Sequence, residues 1–225
     1  MWADDFFRDA SLDGLAAGDA RMRNSDARPE SMEKTIRSFI AFELPTAFAQ
    51  LAAELQNHLK AQGLKLRWVR PQNIHLTLKF LGELPVGQIA DVSQAMQRAA
   101  GAVAPFRMQV QGMGVFPGMR SPRVLWIGLG GMTDALATLH GRLEDALADL
   151  AFPKEKRAYK AHLTLARIDR GVDARKLLAC IAQSGQFAPE IFQASELILF
   201  KSDLRPQGAV YSPLARAPLG VALHG

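Results

Sequence analysis

The same four residues, His-Leu-Thr-Leu, occur twice in this sequence, and the repeat constrains the fold more than any other feature. The first copy occupies residues 75–78 and the second occupies 162–165. Because the side chains of a β-strand alternate between its two faces, each copy predicts a strand with histidine and threonine on one face and leucines on the other. If the two polar faces meet in one cleft, they form a paired-histidine site.

Strand-like and helix-like stretches alternate along the chain on both sides of each motif. This pattern predicts an α+β fold with two pseudo-symmetric lobes, one from each half of the chain, in which helices flank the sheets. Tight turns separate neighbouring strands such as 66–69 and 74–81, which predicts largely antiparallel sheets. The glycines and prolines between 112 and 122 predict a loop, and Gly82 predicts the end of the first motif strand.

The N-terminal stretch, residues 1–34, differs from the rest of the chain in composition and charge. It is rich in Asp, Ala, Arg and Gly, has no sustained periodicity, and holds 8 acidic and 5 basic side chains. These properties predict a disordered extension. The folded domain is expected to span residues 35–216, followed by a C-terminal tail at 217–225. Outside the extension the net charge is +8, which favours an anionic partner.

The rest of the composition favours a cytoplasmic protein. Cys180 is the single cysteine of the chain, so an intrachain disulfide is excluded and nothing points to an oxidising compartment. No apolar run is long enough to span a bilayer. Residues 1–7 lack the basic and apolar segments of a secretory signal. We therefore expect a cytoplasmic protein that does not contact a membrane.

Two histidines on opposite sides of a substrate can act as a general acid and a general base. Histidine has an unperturbed pKa of about 6.5, so it gives and takes protons near neutrality. Cleavage of a phosphodiester needs one group that activates the attacking oxygen and another that protonates the leaving oxygen. His75 and His162 are the candidates. Thr77 and Thr164 share their faces and can donate hydrogen bonds to phosphoryl oxygens.

Two basic residues belong to the motif strands, and strict alternation assigns them to different faces. Lys79 shares the face of His75 and Thr77, so it is expected to line the groove. Arg167 falls on the opposite face unless the strand ends or bulges before it. The other midchain histidines, His58 and His140, lie in predicted helices and are interpreted as surface residues.

Other kinds of site have little support in the sequence. A zinc site would need patterns such as His-Glu-x-x-His, His-x-His or a cysteine pair, and none is present. A glycine-rich phosphate-binding loop is also absent. We therefore predict no metal and no cofactor. The residues alone indicate paired-histidine phosphoester chemistry on an anionic substrate. A phosphodiesterase acting on small nucleotide or sugar cyclic phosphates and a non-catalytic RNA-binding module stay open as alternatives.

Longer stretches around the motifs resemble the 2H phosphoesterase superfamily, and within it the bacterial and archaeal RNA 2′,3′-cyclic phosphodiesterases, also called 2′-5′ RNA ligases. The resemblance rests on residues 39–45, 67–73, 114–117, 122–126 and 162–167. It implies a bilobal fold with a central groove. It also implies metal-independent hydrolysis of RNA 2′,3′-cyclic phosphate ends, or of nucleotides with this group, to 2′-phosphates. Reversible 2′-5′ RNA ligation is implied as well, and a monomer is expected.

The same resemblance implies a role for each candidate residue. His75 would be the proton donor to the departing 3′-oxygen, and His162 would be the proton acceptor that activates water. The phosphate oxygens would be held by Thr77, Thr164 and Arg167. By analogy, Phe116 and Tyr159 would line the groove against a base or ribose.

Overall fold

A computed structural model describes residues 34–184 and 187–220, which form helices and strands in alternation. The helices are α1 (Thr46–Ala61), α2 (Ile89–Gly101), α3 (Thr133–Ala148) and α4 (Ala174–Ser184). The strands are β1 (Thr35–Phe42), β2 (Arg67–Trp68), β3 (Leu76–Pro85), β4 (Phe106–Phe116), β5 (Val124–Gly131), β6 (His162–Arg167), β7 (Ile191–Ala194), β8 (Glu196–Arg205) and β9 (Gly208–Pro218). Short 3-10 turns precede β3 and α2.

The strands form two antiparallel sheets, as predicted. Sheet A has the order β3-β1-β8-β9, and sheet B has the order β2-β6-β5-β4-β7. Every pairing within them is antiparallel. The first motif strand, β3, lies at the edge of sheet A. The second, β6, lies beside the two-residue strand β2 in sheet B. Each sheet therefore contributes one histidine motif.

The two sheets are related by a pseudo-two-fold correspondence that the order of strands makes plain. Strands β3, β1, β8 and β9 of sheet A occupy the places of β6, β5, β4 and β7 of sheet B. The prediction of two pseudo-symmetric lobes is confirmed, but the halves of the chain exchange strands between them. Strand β4 leaves the first half to pair with β5, and β8 returns from the second half to pair with β1.

The helices cross between the sheets in the same manner. Helix α1 follows a strand of sheet A but packs on sheet B, where the Gln56 side chain donates hydrogen bonds to the carbonyls of Val69 and Leu165. Helix α3 follows a strand of sheet B but reaches sheet A, where Glu144 pairs with Lys79 of β3. One continuous apolar core joins both sheets and their helices, so the position of one motif is coupled to the other through packing.

Glycines that were predicted to end strands instead lie inside long strands, at irregular positions or where another side chain comes close to the backbone. Strand β3 continues through Gly82, which has a positive φ of 72°, to the end at Pro85. Strand β4 runs to Phe116 through the region predicted as a loop. There, a Cβ added to Gly114 would lie 2.4 Å from the ring of Trp126. Glycine is required at this position because an indole ring occupies the space of a side chain.

Two further predictions differ from the structure. Strand β2 was expected to pair with the first motif strand, but it pairs with β6 because the 3-10 turn Pro71–Asn73 redirects the chain. Strand β9 continues to Pro218 and Leu219 is buried, so the folded part extends past residue 216. The predicted extension, apart from Lys34, and the last five residues lie outside the described residues.

Candidate active site

The two motif histidines are held in the same way by the backbone before their strands. Nδ1 of His75 lies 2.7 Å from the carbonyl oxygen of Asn73, and Nδ1 of His162 lies 2.8 Å from that of Lys160. A carbonyl oxygen can only accept a hydrogen bond, so both Nδ1 atoms carry the proton. Each neutral ring therefore has its lone pair at Nε2, the atom at which it can take up or release a proton.

A β-bulge follows the threonine of each motif at the same place. In β3 the extra residue is Leu78, because Thr77 and Lys79 pair with adjacent residues of β1. In β6 the extra residue is Leu165, which occupies the corresponding position of the second motif. An extra residue reverses the alternation of faces along the rest of the strand. The basic residues that follow the motifs therefore lie on the faces opposite to those predicted by strict alternation.

Lys79 is consequently a core residue and does not line a groove with His75 and Thr77. Its side chain is only 4% exposed. The Nζ atom lies 2.8 Å from Oε1 of Glu144 and donates a hydrogen bond of 2.7 Å to the carbonyl of Pro153. The prediction of a groove-lining lysine is wrong, and the bulge is the physical reason.

The second bulge has the reverse effect on Arg167 and turns it to the face of His162. Burial lowers the pKa of His162, and the positive charge of Arg167 lowers it further. Burial raises the pKa of Tyr211 in sheet A, and Arg167 acts against this rise. Arg167 therefore lies where the two sheets approach each other. The residue in the equivalent place of β3 is Phe80, whose ring centroid lies 6.1 Å from that of Phe39 on the histidine face of sheet A.

Aromatic side chains surround His75, and no local pattern in the sequence predicts them. Its ring stacks on Phe39 at 4.5 Å and meets Tyr211 edge-on at 5.2 Å. Phe200 packs behind Phe39 at 5.3 Å. Burial among these rings lowers the pKa of His75 to about 4, although the hydrogen bond to Asn73 acts in the opposite direction.

His162 has a similar environment on sheet B. The ring of Phe116 meets it edge-on at 4.9 Å, and Phe116 in turn packs against Trp126 at 5.0 Å. Burial lowers the pKa of His162, and the nearby Arg167 lowers it further. Phe116, predicted at the groove, is thus in direct contact with a motif histidine.

The two imidazoles are close enough to influence each other's charge. A positive charge on His162 lowers the pKa of His75. Like charges in one site disfavour the doubly protonated state. Near neutral pH both rings are therefore neutral in the free protein. An anion bound between them would favour protonation of one ring.

Tyr159 lies on the helix side of the motif strand instead of in the open groove. Its hydroxyl donates a hydrogen bond of 2.9 Å to the backbone carbonyl of Thr77, and its ring stacks on His140 at 4.2 Å. Burial raises the pKa of the phenol. His140, interpreted as a surface residue from its helical position, is instead packed between this ring and Glu144. Tyr159 thus ties the segment before β6 to the strand that carries His75.

The low pKa of His75 predicts a loss of stability in acid. The unfolded chain takes up a proton near pH 6.5, whereas folded His75 takes it up only near pH 4. As the pH falls from 6.5 to 4, this residue therefore lowers the free energy of unfolding by about 3 kcal/mol in total. The free energy of urea unfolding should be measured at pH 7 and pH 4.5 in the wild type and in His75→Gln. The acid-induced loss should be smaller in the variant, and equal losses would contradict the assigned environment.

Residues 34–184 and 187–220 contain no group of three or more His, Cys, Asp or Glu side chains arranged to hold a metal ion. Within the same ranges, no helix combines the length and apolar character needed to cross a bilayer.

Comparison with known proteins identifies the family. The family described as LigT like phosphoesterase matches residues 42–126 and 128–211, which include both motifs and most of the described chain. This chain belongs to the LigT-like phosphoesterase family. The assignment confirms the resemblance found from the motifs.

Curated relatives and solved structures agree with the family assignment. An RNA 2′,3′-cyclic phosphodiesterase of Thermotoga maritima is 31% identical over 180 residues, which cover 80% of this chain and 93% of the relative. One of Methanothermobacter thermautotrophicus is 28% identical over 80% of this chain and 96% of the relative. A Thermus thermophilus structure matches with a TM-score of 0.67 and 27% identity over 82% of this chain and 98% of that chain. Escherichia coli LigT with 3′-AMP matches with a TM-score of 0.62 and 25% identity over the same shares.

Proposed function

We propose that this LigT-like phosphoesterase hydrolyses the 2′,3′-cyclic phosphate at RNA ends to a 2′-phosphate. The observation that carries the proposal is the matched pair of histidines, each anchored through Nδ1 and influencing the other's charge. The names of the relatives support the choice of substrate. Nucleotides with the same cyclic group belong to the proposed substrate class.

His162 is proposed as the general base. Burial, and to a lesser extent Arg167, lowers the pKa of His162, so the Nε2 lone pair is available at neutral pH. In the proposed step, Nε2 takes a proton from water while the water oxygen forms a bond to phosphorus. Removal of the proton while the oxygen–phosphorus bond forms makes the water oxygen a better nucleophile, and no free hydroxide is released.

His75 is proposed as the general acid that protonates the departing 3′-oxygen. With a pKa of about 4, the ring is neutral in the free protein. A phosphate anion bound beside it raises this pKa, because an opposite charge favours the imidazolium and the aromatic surroundings weaken solvent screening. The bond from phosphorus to the 3′-oxygen then breaks as Nε2 gives up its proton. The phosphate stays on the 2′-oxygen.

Thr77, Thr164 and Arg167 are proposed to hold the phosphoryl oxygens. Both threonines are half-buried and precede the bulges, so they share the faces of their histidines. Hydroxyl and guanidinium donors fixed before the reaction stabilise the charge that develops on these oxygens. Phe116, half-buried beside His162, offers a ring against which a base can stack.

Joining of RNA ends follows from the same arrangement. If a 5′-hydroxyl replaces water as the nucleophile, His162 deprotonates it and the product is a 2′-5′ linkage. One chain supplies both histidines, which supports action as a monomer. We also propose the cytoplasm as its location, because Cys180 is a buried free thiol, as expected for a reducing compartment.

The experiment that tests the proposal is incubation with a short RNA that ends in a 2′,3′-cyclic phosphate, with and without a metal chelator. Conversion to the 2′-phosphate at the same rate in both samples is expected. Absence of conversion would overturn the proposed function. Conversion that stops in chelator would overturn the metal-independent mechanism and leave the substrate assignment standing.

A further inference from the structure

A basic pocket adjoins the candidate active site at the end of sheet B. Its volume is about 310 Å³. Its lining consists of four arginines, one carboxylate and one apolar residue, namely Arg67, Arg123, Arg167, Arg170, Asp169 and Ile168. We call it the arginine pocket. It shares Arg167 with the histidine site, so the two are parts of one continuous surface.

The strand pairing of sheet B brings these arginines together from distant parts of the sequence. Arg67 of β2 lies directly across from Arg167 of β6. Arg123 immediately precedes β5, and its carbonyl accepts a hydrogen bond from the backbone of Ile168. Like charges in directly opposed positions are destabilising by themselves. An anion bound among them would offset this repulsion.

The charge balance of the arginine pocket strongly favours an anion. Asp169 is the one carboxylate in its lining, and it pairs with Arg67 at 3.0 Å. Both side chains are more than 60% exposed, so this pair is screened by water and holds the arginine only weakly. The lining keeps a net charge of +3. Guanidinium groups recognise phosphate by paired hydrogen bonds, which makes phosphate the chemical class that fits this lining.

We infer that the arginine pocket binds an internucleotide phosphate of the RNA strand whose cyclic end lies between the two histidines. This inference rests on the proposed function. Arg167, proposed to hold the reacting phosphate, is shared by both places, whereas Arg67, Arg123 and Arg170 line the arginine pocket and are not part of the set proposed to hold that phosphate. A cyclic mononucleotide has only the reacting phosphate, so it cannot occupy both places. The pocket therefore selects RNA ends over small cyclic nucleotides.

The test compares kcat/KM for adenosine 2′,3′-cyclic phosphate with that for di-, tri- and tetranucleotides with the same cyclic end. A gain of about tenfold or more is expected at the length that first places a phosphate in the pocket, because hydrogen bonds between charged groups are among the stronger ones. Replacing that single linkage by an uncharged methylphosphonate should remove the gain. A gain that survives the replacement would overturn the inference, since it would come from the base or ribose.

Substitutions in the pocket give an independent test. Arg123→Gln combined with Arg170→Gln should lower kcat/KM for the oligonucleotide about tenfold more than for the mononucleotide, and should flatten its dependence on salt. Asp169→Asn should act in the opposite direction and increase the preference for the oligonucleotide. Arg98→Gln combined with Arg142→Gln removes two exposed arginines of α2 and α3 and serves as the matched control, with no change expected.

The outcomes distinguish the inference from the function on which it rests. If the wild type turns over the mononucleotide and every oligonucleotide equally well, the inference is overturned and the proposed chemistry stands. If the arginine variants lower both activities in the same proportion, the pocket contributes only general charge and the inference is again overturned. If no cyclic phosphate is turned over, the proposed function itself fails.

Discussion

Replacement of either motif histidine is expected to lower kcat for a 2′,3′-cyclic phosphate by about three orders of magnitude, within the usual range for loss of a general acid or base. His162→Ala removes the group that accepts the proton from water. His75→Gln removes the proton donor but keeps a polar side chain of similar size among the aromatic rings. Initial rates at saturating substrate measure the effect, and thermal unfolding shows whether each variant is folded.

His58→Ala is the matched control for these variants. His58 is an exposed histidine of α1 whose Nε2 lies 2.7 Å from Nε2 of the Gln62 side chain. Its loss should leave kcat unchanged. A folded His162→Ala protein with wild-type kcat would contradict the paired-histidine mechanism. A variant that loses activity together with its folding transition would instead identify a structural role.

Removal of the buried lysine is expected to have the largest effect on stability. Lys79→Met leaves the carboxylate of Glu144 in the core without its ammonium partner, which costs about 3 kcal/mol or more in free energy of unfolding. His140 Nε2 lies 3.8 Å from the same carboxylate, but burial lowers the pKa of its imidazole, so near neutral pH His140 does not replace the ammonium. Urea unfolding at pH 7.5 measures the loss.

Two further variants distinguish the effect of an unpaired buried charge on stability from the effect of losing any lysine. Lys79→Met combined with Glu144→Leu removes both charges and should recover much of the stability, because no unpaired ion is left in the core. Lys154→Met breaks the exposed pair with Asp145 and should change the free energy of unfolding little, because water screens this pair. Equal losses in Lys79→Met and Lys154→Met would contradict the burial of the first pair.

The sequence predicts the motif strands well because the information is local. Alternation of His and Thr with leucines is enough to define two half-buried strands, and helical spacing of Leu136, Leu139 and Leu143 is enough to define α3. The exchange of strands between the two lobes was not predicted, because strand partners are chosen by packing across the whole chain. Nothing near β4 or β8 in the sequence indicates that these strands pair outside their own half.

The residues that complete the site illustrate the same limit. Bulges after Thr77 and Thr164 exchange the faces of the residues that follow, and strict alternation therefore misplaced Lys79. A bulge is decided by pairing with a neighbouring strand and has no reliable local signature. The aromatic residues around His75 are Phe39, Phe200 and Tyr211, and more than 170 residues separate the first from the last in the sequence. The order of strands in sheet A brings them to one histidine.

The most direct test of the central claim is hydrolysis of a cyclic-phosphate-ended oligonucleotide in water enriched in ¹⁸O, followed by phosphorus NMR of the product. The mechanism has water attack phosphorus while the 3′-oxygen departs. It therefore predicts a single 2′-phosphomonoester whose resonance carries the isotope shift of one ¹⁸O bonded to phosphorus. A 3′-phosphate, a mixture of isomers, or a 2′-phosphate without the label would contradict the assignment of His162 to water and His75 to the 3′-oxygen.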